Sequence, residues 1–441
     1  MAKWFRKTFV ALLLVLVAYL LIVQVLRWMA FGEDERAALA LMEPLPPPPA
    51  GTSGYKYLGL AHLDIPLQGL DAALARDLAA FGEWHAGAGA RMNLSGEQDQ
   101  AWESPLLAEF PARPPLTPPD GACGLRDADC LAKLRGNEPA IAAWLDSEAA
   151  RLALAERALA SDHLANPYPP AADAPLASFQ LLRLPINAIA LQALGGDLPG
   201  ALDRACGLLA AERRFLAQDG MLIDKMVHGV VSESAAGLVL AIRRADPAAP
   251  MPPACEAALA PVAATDYLTC GAFKHEYAMV AEISRQLDER TRGGFDPRDW
   301  LTRLALIDAR LMRGWSAQNF APMCSEDGTA AILAGEVPAA DVPEMDYVSV
   351  DYWAAPISRI LASISAPAYQ QYQDRLLDHA ASLRLHRAAV LAVGGELPVE
   401  AVPEAAASPG YTIRADDGHW VLPLRRPPGE ALAEHRIAIP E

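Results

Sequence analysis

The chain has 441 residues, 52% of them apolar, with 37 basic against 54 acidic side chains and a formal net charge of −17. That length can bury a sizeable core, and the acidity argues against nucleic acid as a partner, because its phosphates carry the same sign. The first 29 residues hold four of the cations (Lys3, Arg6, Lys7, Arg27) and no acid, so the remainder stands at −21.

Three cations precede an uncharged run from Thr8 to Leu26, which closes on Arg27 and Trp28. As a helix this run would rise roughly 28 Å, about the thickness of a bilayer core. It is long for a secretory signal. The small-residue sequence Ala38-Leu39-Ala40 lies past the charged stretch Glu33 to Arg36, the wrong place for cleavage. We therefore expect residues 1–29 to be a short cytoplasmic tail and an uncleaved transmembrane anchor, spanning about 8–28. The cation bias orients the N-terminus to the cytoplasm, placing the body in the periplasm of a bacterium, single-pass in the inner membrane.

Residues 30–54 read as a linker whose tract Pro46 to Pro49 favours polyproline II, a stiff spacer holding the body off the membrane. Residues 55–135 read as short helices, interrupted by Pro66 and by the stretch from Gly87 to Gly89, and then a proline-rich excursion from Ser104 into a cysteine loop. The six cysteines (Cys123, Cys130, Cys206, Cys255, Cys270, Cys324) form an even set, as a disulfide-permitting compartment allows. Cys123 and Cys130 are the local pair their spacing favours; the other pairings stay open. Zinc is disfavoured, since no C-x-x-C and no clustered histidines occur.

Residues 136–393 carry the helical periodicity. A helix is expected from about Pro139 to Leu164. Phe179, Leu182, Ile186, Ile189 and Ala193 then share one face of a helix that Pro185 should kink. Asp197 caps the next, striped by Leu198, Leu202, Ala205, Leu209 and Leu216, and a third runs from Met221 to Arg244. A short helix near Cys255 and longer ones at Thr265 to Glu289, Trp300 to Trp315 and Ala368 to Val393 follow, with Asn319 to Asp351 an acidic loop. In residues 394–441, Asp416-Asp417-Gly418 is a hairpin turn between Tyr411-Thr-Ile-Arg and His419-Trp-Val-Leu. Arg425 to Glu441 has no strong pattern. The expected fold is predominantly all-α: a transmembrane helix, then an irregular helical-hairpin bundle with a small C-terminal β-hairpin.

The stretch Leu194 to Leu202 resembles the inter-helix turn of a tetratricopeptide repeat, but no repeat period follows. The anchor, the Tyr57-Leu58-Gly59 start, the Met221 to Met226 helix and the long final helix leading into a hairpin resemble uncharacterised, single-span, mostly helical bacterial envelope proteins. That resemblance implies no activity.

Chemistry-bearing motifs are sparse. Ser53-Gly54-Tyr55-Lys56 matches S-x-x-K but sits at the end of the linker, with no S-D-N or K-T-G after it. His275-Glu276 opens like a zincin helix, yet Met279 stands where the second histidine belongs. Asp127/Asp129 and Glu326/Asp327 are acidic loop pairs without a complete EF-hand. Asp224, His228 and Ser232 share a helix face, but a mid-helix serine lacks oxyanion donors, so a helix–helix polar contact is the expected role. Glu276 shares a stripe with Ala272, Met279 and Ile283; it should be partly buried with a raised pKa, paired with an arginine from another helix.

We expect a membrane-tethered periplasmic protein that binds an envelope protein or assembles a complex, with no cofactor or metal; the motifs point away from an enzyme. The alternative is an envelope hydrolase of glycan or peptide, with Glu276, or Asp224 and His228, in a carboxylate-based site. A cleft bringing Glu276 to a second acid would favour that alternative.

Overall fold

Among the described residues two helices are long and apolar enough to cross a membrane, and the fold treats them in opposite ways. A computed structural model describes residues 2–87, 101–127, 129–293, 302–338, 346–426 and 433–440. The readings at Gly89 and Trp300, and part of the acidic loop, lie outside the described residues. Helix α1 (Ala2–Ala30) has a mean hydropathy of 3.0 in its most apolar window, of which only 6% is buried. The second candidate, Leu222–Ala245, has a mean hydropathy of 1.3 and is 72% buried. The first leaves its apolar surface outside the protein; the second is a core helix, mostly enclosed by its neighbours.

The described residues are predominantly helical and end in a small antiparallel sheet. After α1 come α2 (Glu33–Met42), α3 (Tyr55–Gly59) and α4 (Leu70–Ala86). Next are α5 (Cys130–Leu134), α6 (Glu138–Ser147), α7 (Ala149–Leu159), α8 (Arg183–Leu194) and α9 (Leu198–Leu216). The core helix Leu222–Ala245 is α10, followed by α11 (Ala254–Ala258), α12 (Cys270–Gly293), α13 (Ala309–Phe320) and α14 (Glu326–Leu333). Finally come α15 (Val350–Ala354), the long α16 (Pro356–Val393) and α17 (Val402–Ala405). Helix α10 lies between α9 and α16, and α13 joins α12, α16 and α2. One continuous core reaches from Ala38 to Ile437.

Several expectations are corrected in detail. The region read as a spacer begins with α2, whose Ala38 and Met42 are buried in the core beside α13. Its alanine-rich sequence favours helix, and two apolar side chains on one face give it somewhere to dock. Towards its end one face of α1 becomes covered, with Val23 and Arg27 buried, while Val25, Trp28 and Met29 stay exposed on the other. Arg27 Nε donates to the Ala354 carbonyl at 3.0 Å, and its Nη2 donates to those of Arg303 (3.0 Å) and Ile307 (2.9 Å). The end of α1 therefore packs directly onto the body, with Ala30 beside Leu311, Trp315 and Ala354.

The helix expected from Pro139 to Leu164 is two, broken at Glu148. Pro185 does not kink α8: it is the third helical residue, where no intrahelical N–H is needed. The acidic stretch after Asn319 contains α14, capped by Ser325 Oγ accepting from the Gly328 N–H at 2.9 Å. Helix α16 begins at Pro356, a turn-setting first position, rather than at Ala368. Ser53 to Lys56, read as the end of the linker, is docked on the body: Ser53 bridges to His163 and Lys56 pairs with Asp71 at 2.6 Å.

The C-terminal hairpin is a three-stranded sheet, β1 (Arg414–Asp416), β2 (His419–Pro423) and β3 (Glu434–Ala438), in that order. Asp416 pairs with His419 across a turn in which Asp417 (φ 46°) and Gly418 (φ 68°) both take the left-handed conformation. The missed third strand pairs Trp420 with Ile437 and Leu422 with His435. All six cysteines lie in pairs at disulfide distance: Cys123–Cys130, Cys206–Cys255 and Cys270–Cys324.

Candidate functional site

Helix α10 lines a cleft. Ile223, Met226, Val227 and Val230 recur at helical spacing and face an open depression of about 990 Å³. Tyr369, Tyr372 and Arg375 of α16 form the facing wall, and Glu276 of α12 joins it. The cysteine loop contributes Arg126 and Asp127 at the rim, beside Lys133. A second cavity of about 390 Å³ shares Arg126, Asp127, Met226, Val230 and Arg375 with the first and continues along α10 to Glu233 and Ser234. The two make one elongated cleft, with Ile223, Met226, Val227 and Val230 of α10 along its floor and Glu233 and three histidines at its far end.

At that end His379 Nδ1 lies 2.7 Å from Glu233 Oε1. Burial opposes charge on both groups. Their mutual attraction outweighs it, holding the Glu233 carboxyl below and the His379 imidazole above their ordinary values. Two further histidines close the cavity. Burial, then neighbouring His435, pushes His386 down to about 3, and its Nδ1–H donates to the Ser382 carbonyl at 2.9 Å. His435 is likewise lowered by burial, and its Nε2 has no partner among the described residues. Asp378 is raised by burial, although Tyr411 and the Arg425 and Arg426 amides donate to it; this ties the end of the sheet to α16. Ser234 is 4% exposed, and its hydroxyl has no partner among the described residues.

The acids expected to do chemistry meet instead at the N-terminus of α10. Glu276 Oε1 accepts from the Leu222 N–H at 3.2 Å, and Asp224 Oδ2 accepts from the Met221 N–H at 3.1 Å. Carboxylates at a helix N-terminus complement its dipole. Burial pushes Glu276 up to about 7, with Asp224 adding to the rise, and pushes Asp224 up to about 6. Glu276 thus meets a backbone amide where an arginine was expected. Asp224 lines a separate small void with Lys225 and His228, away from the cleft.

His228 turns from Asp224 to Glu212 of α9, Nδ1 to Oε2 at 2.7 Å, enclosed by Phe179 and Phe215. Ser232 is buried, its hydroxyl without a partner among the described residues. No serine triad assembles from Asp224, His228 and Ser232. Asp127 accepts from the Gly124 N–H and pairs with Lys133 at 2.6 Å, and Glu326 and Asp327 lie in the first turn of α14. Among the described residues no group of three or more His, Cys, Asp or Glu side chains could hold a metal ion.

No family model, no curated protein and no solved structure matches this chain. The site must be read from its own chemistry.

Sequence reasoning missed Glu233, His379 and His435, because the fold joins them across long separations. One signal was present: Glu233 is the only acid between Asp224 and Asp246, and the only charged residue in the apolar and small-residue stretch from Gly229 to Ile242 of α10. An acid there needs a partner.

Proposed function

We propose that the protein is a membrane-anchored binding protein of the bacterial envelope, its body outside the cytoplasm, whose cleft receives an acidic, partly apolar segment of another envelope protein. One observation carries the reading. Arg126 and Arg375 line both halves of the cleft, and among the described residues neither has a carboxylate within ion-pair distance, in a chain of net charge −17. Guanidiniums without a carboxylate partner, Arg375 lying over the Tyr372 ring on the wall that faces the apolar residues of α10, suit a chain that alternates carboxylates with apolar side chains. The tethering reading rests on α1, long and apolar enough to cross a membrane, with its cations at the N-terminal end.

The hydrolase reading has one observation in its favour, a carboxyl near pKa 7 on the cleft wall. The acids nearest to it among the described residues are otherwise engaged: Asp224 faces another void, Asp127 is committed to Lys133, Glu233 to His379, and Asp378 to Tyr411 and two backbone amides.

The test uses the full-length chain in detergent and two labelled peptides, identical except that Glu in one is Gln in the other. The acidic peptide should bind more tightly, weaken with salt, and lose about tenfold in affinity with R126Q/R375Q, or roughly 1.4 kcal/mol. Equal binding of both peptides would overturn the proposal. So would hydrolysis of cell-wall material by the wild type that Glu276→Gln abolishes.

A further inference from the structure

A groove runs between the anchor and the body, and its lining opposes the charge of the molecule around it. One wall is α1, where Val17, Leu20 and Leu21 present apolar side chains along the helix that leaves the body. The other is the short helical stretch 302–305, bearing Arg303, and the start of α13, bearing Arg310 and Arg313, with Arg285 of α12 beside them. With Arg27, five arginines face two aspartates, Asp288 and Asp308, around a space of about 620 Å³. The chain as a whole carries −17, so this concentration of cations is local and stands against the overall repulsion of anionic surfaces.

The arginines differ in how fully they are used. Arg27 is spent on backbone carbonyls, and Arg285 is held by Glu282 and Glu289. The other three keep donors in hand. Arg303 stands 3.7 Å from Asp288 and Arg313 3.7 Å from Glu43, both beyond ordinary hydrogen-bond length. Arg310 lies over the Phe31 ring at 4.2 Å, with no carboxylate at ion-pair distance among the described residues.

We infer that this groove binds the phosphate of an anionic phospholipid, with the acyl chains lying along Val17, Leu20 and Leu21 and the headgroup held by Arg303, Arg310 and Arg313. The inference rests on the membrane-anchor reading. Three guanidiniums arranged around one space match the oxygens of a phosphodiester, and the fork geometry of arginine suits them better than lysine would. The apolar wall, continuous with the exposed surface of α1, points to a lipid rather than a free phosphate. A bound lipid would fill the space between anchor and body and fix the body's height and tilt above the bilayer.

The experiment uses the full chain in mild detergent, supplied with equal amounts of phosphatidylglycerol, phosphatidylethanolamine and phosphatidylcholine and examined by native mass spectrometry. One phosphatidylglycerol per chain should be retained in preference to the others, and R310Q/R313Q should lower its occupancy about tenfold. Arg76→Gln, which alters an exposed pair with Glu109 elsewhere, should leave occupancy unchanged. Thermal unfolding of each variant reports whether it folds. If R310Q/R313Q unfolds, Arg303→Gln replaces it with the same expected loss. Retention without preference among the three lipids, occupancy unaffected in the folded arginine variants, or displacement of the lipid by inorganic phosphate alone would each overturn the inference. Flotation with vesicles is the separate check on the anchor. A chain that floats but shows no preference fails only here, whereas one that does not float fails the tethering reading as well.

Discussion

A Cβ added to Gly229 of α10 would stand 2.7 Å from Cδ2 of His379 on α16, so the histidine rests directly against a glycine. The absent side chain lets α16 approach closely enough for His379 to meet Glu233, one helical turn further along α10. Gly229→Ala should therefore displace the imidazole and cost about 1–3 kcal/mol, despite the better helix propensity of alanine. Gly207→Ala is the contrast: Gly207 lies within α9, where an added Cβ meets nothing within 4 Å. That change should stabilise by up to about 1 kcal/mol. Chemical denaturation of the two variants checks both, and equal effects would show that the contact at His379 is slack.

The Glu233–His379 pair predicts a pH window. The histidine is raised in the folded state, so its contribution is complete below its ordinary value and is lost as pH rises through the folded value. The carboxyl is lowered, so its contribution is present above its ordinary value and is lost as pH falls through the folded value. Together they favour folding most in mildly acidic solution, and His379→Gln should flatten the decline above about pH 6.5. Thermal midpoints of both proteins across that range provide the measurement.

Glu276 predicts the opposite slope for a carboxyl. Its value, about 7, is raised by burial, so the folded state holds a proton that the unfolded chain releases earlier. Stability should fall between about pH 4.5 and 7 from this group, by on the order of 3 kcal/mol. Glu276→Gln keeps an oxygen for the Leu222 amide and should remove that fall, leaving the variant more stable than wild type at pH 8. A variant less stable than wild type at both pH 5 and pH 8 would contradict this account of Glu276.

The buried Glu212–His228 pair should behave as a unit. His228→Ala leaves a fully buried carboxyl without its partner and should cost about 3–5 kcal/mol. Replacing both with leucine should cost less than the sum of the two single changes to leucine, because neither polar group is then stranded. A double-mutant cycle by denaturation reads the coupling directly.

Much of the architecture was legible because it is written in short-range chemistry. The stripe on α9, its Asp197 cap and the Asp417-Gly418 turn are local features, and each forms where its residues indicate. The Cys123–Cys130 pair is legible for the same reason. Features set by distant partners were not. Nothing near Ala38 and Met42 shows that α13 will cover them, so a docked helix reads as a linker. Strand β3 has little apolar content of its own and is recruited by β2. Arg27 looks like the basic flank of a membrane span until Ala354, Arg303 and Ile307 supply the carbonyls that bury it. The cleft belongs to this second class, since its walls come from α10, α12, α16, the cysteine loop and the sheet.

The central claim is that this cleft is where an acidic partner segment binds. Hydrogen–deuterium exchange of the full-length chain, with and without the acidic peptide, tests it most directly. The account predicts slowed exchange confined to the cleft-lining parts of α10 and α16, around residues 222–234 and 369–382, and to the loop carrying Arg126. Protection elsewhere with these segments unchanged would contradict it.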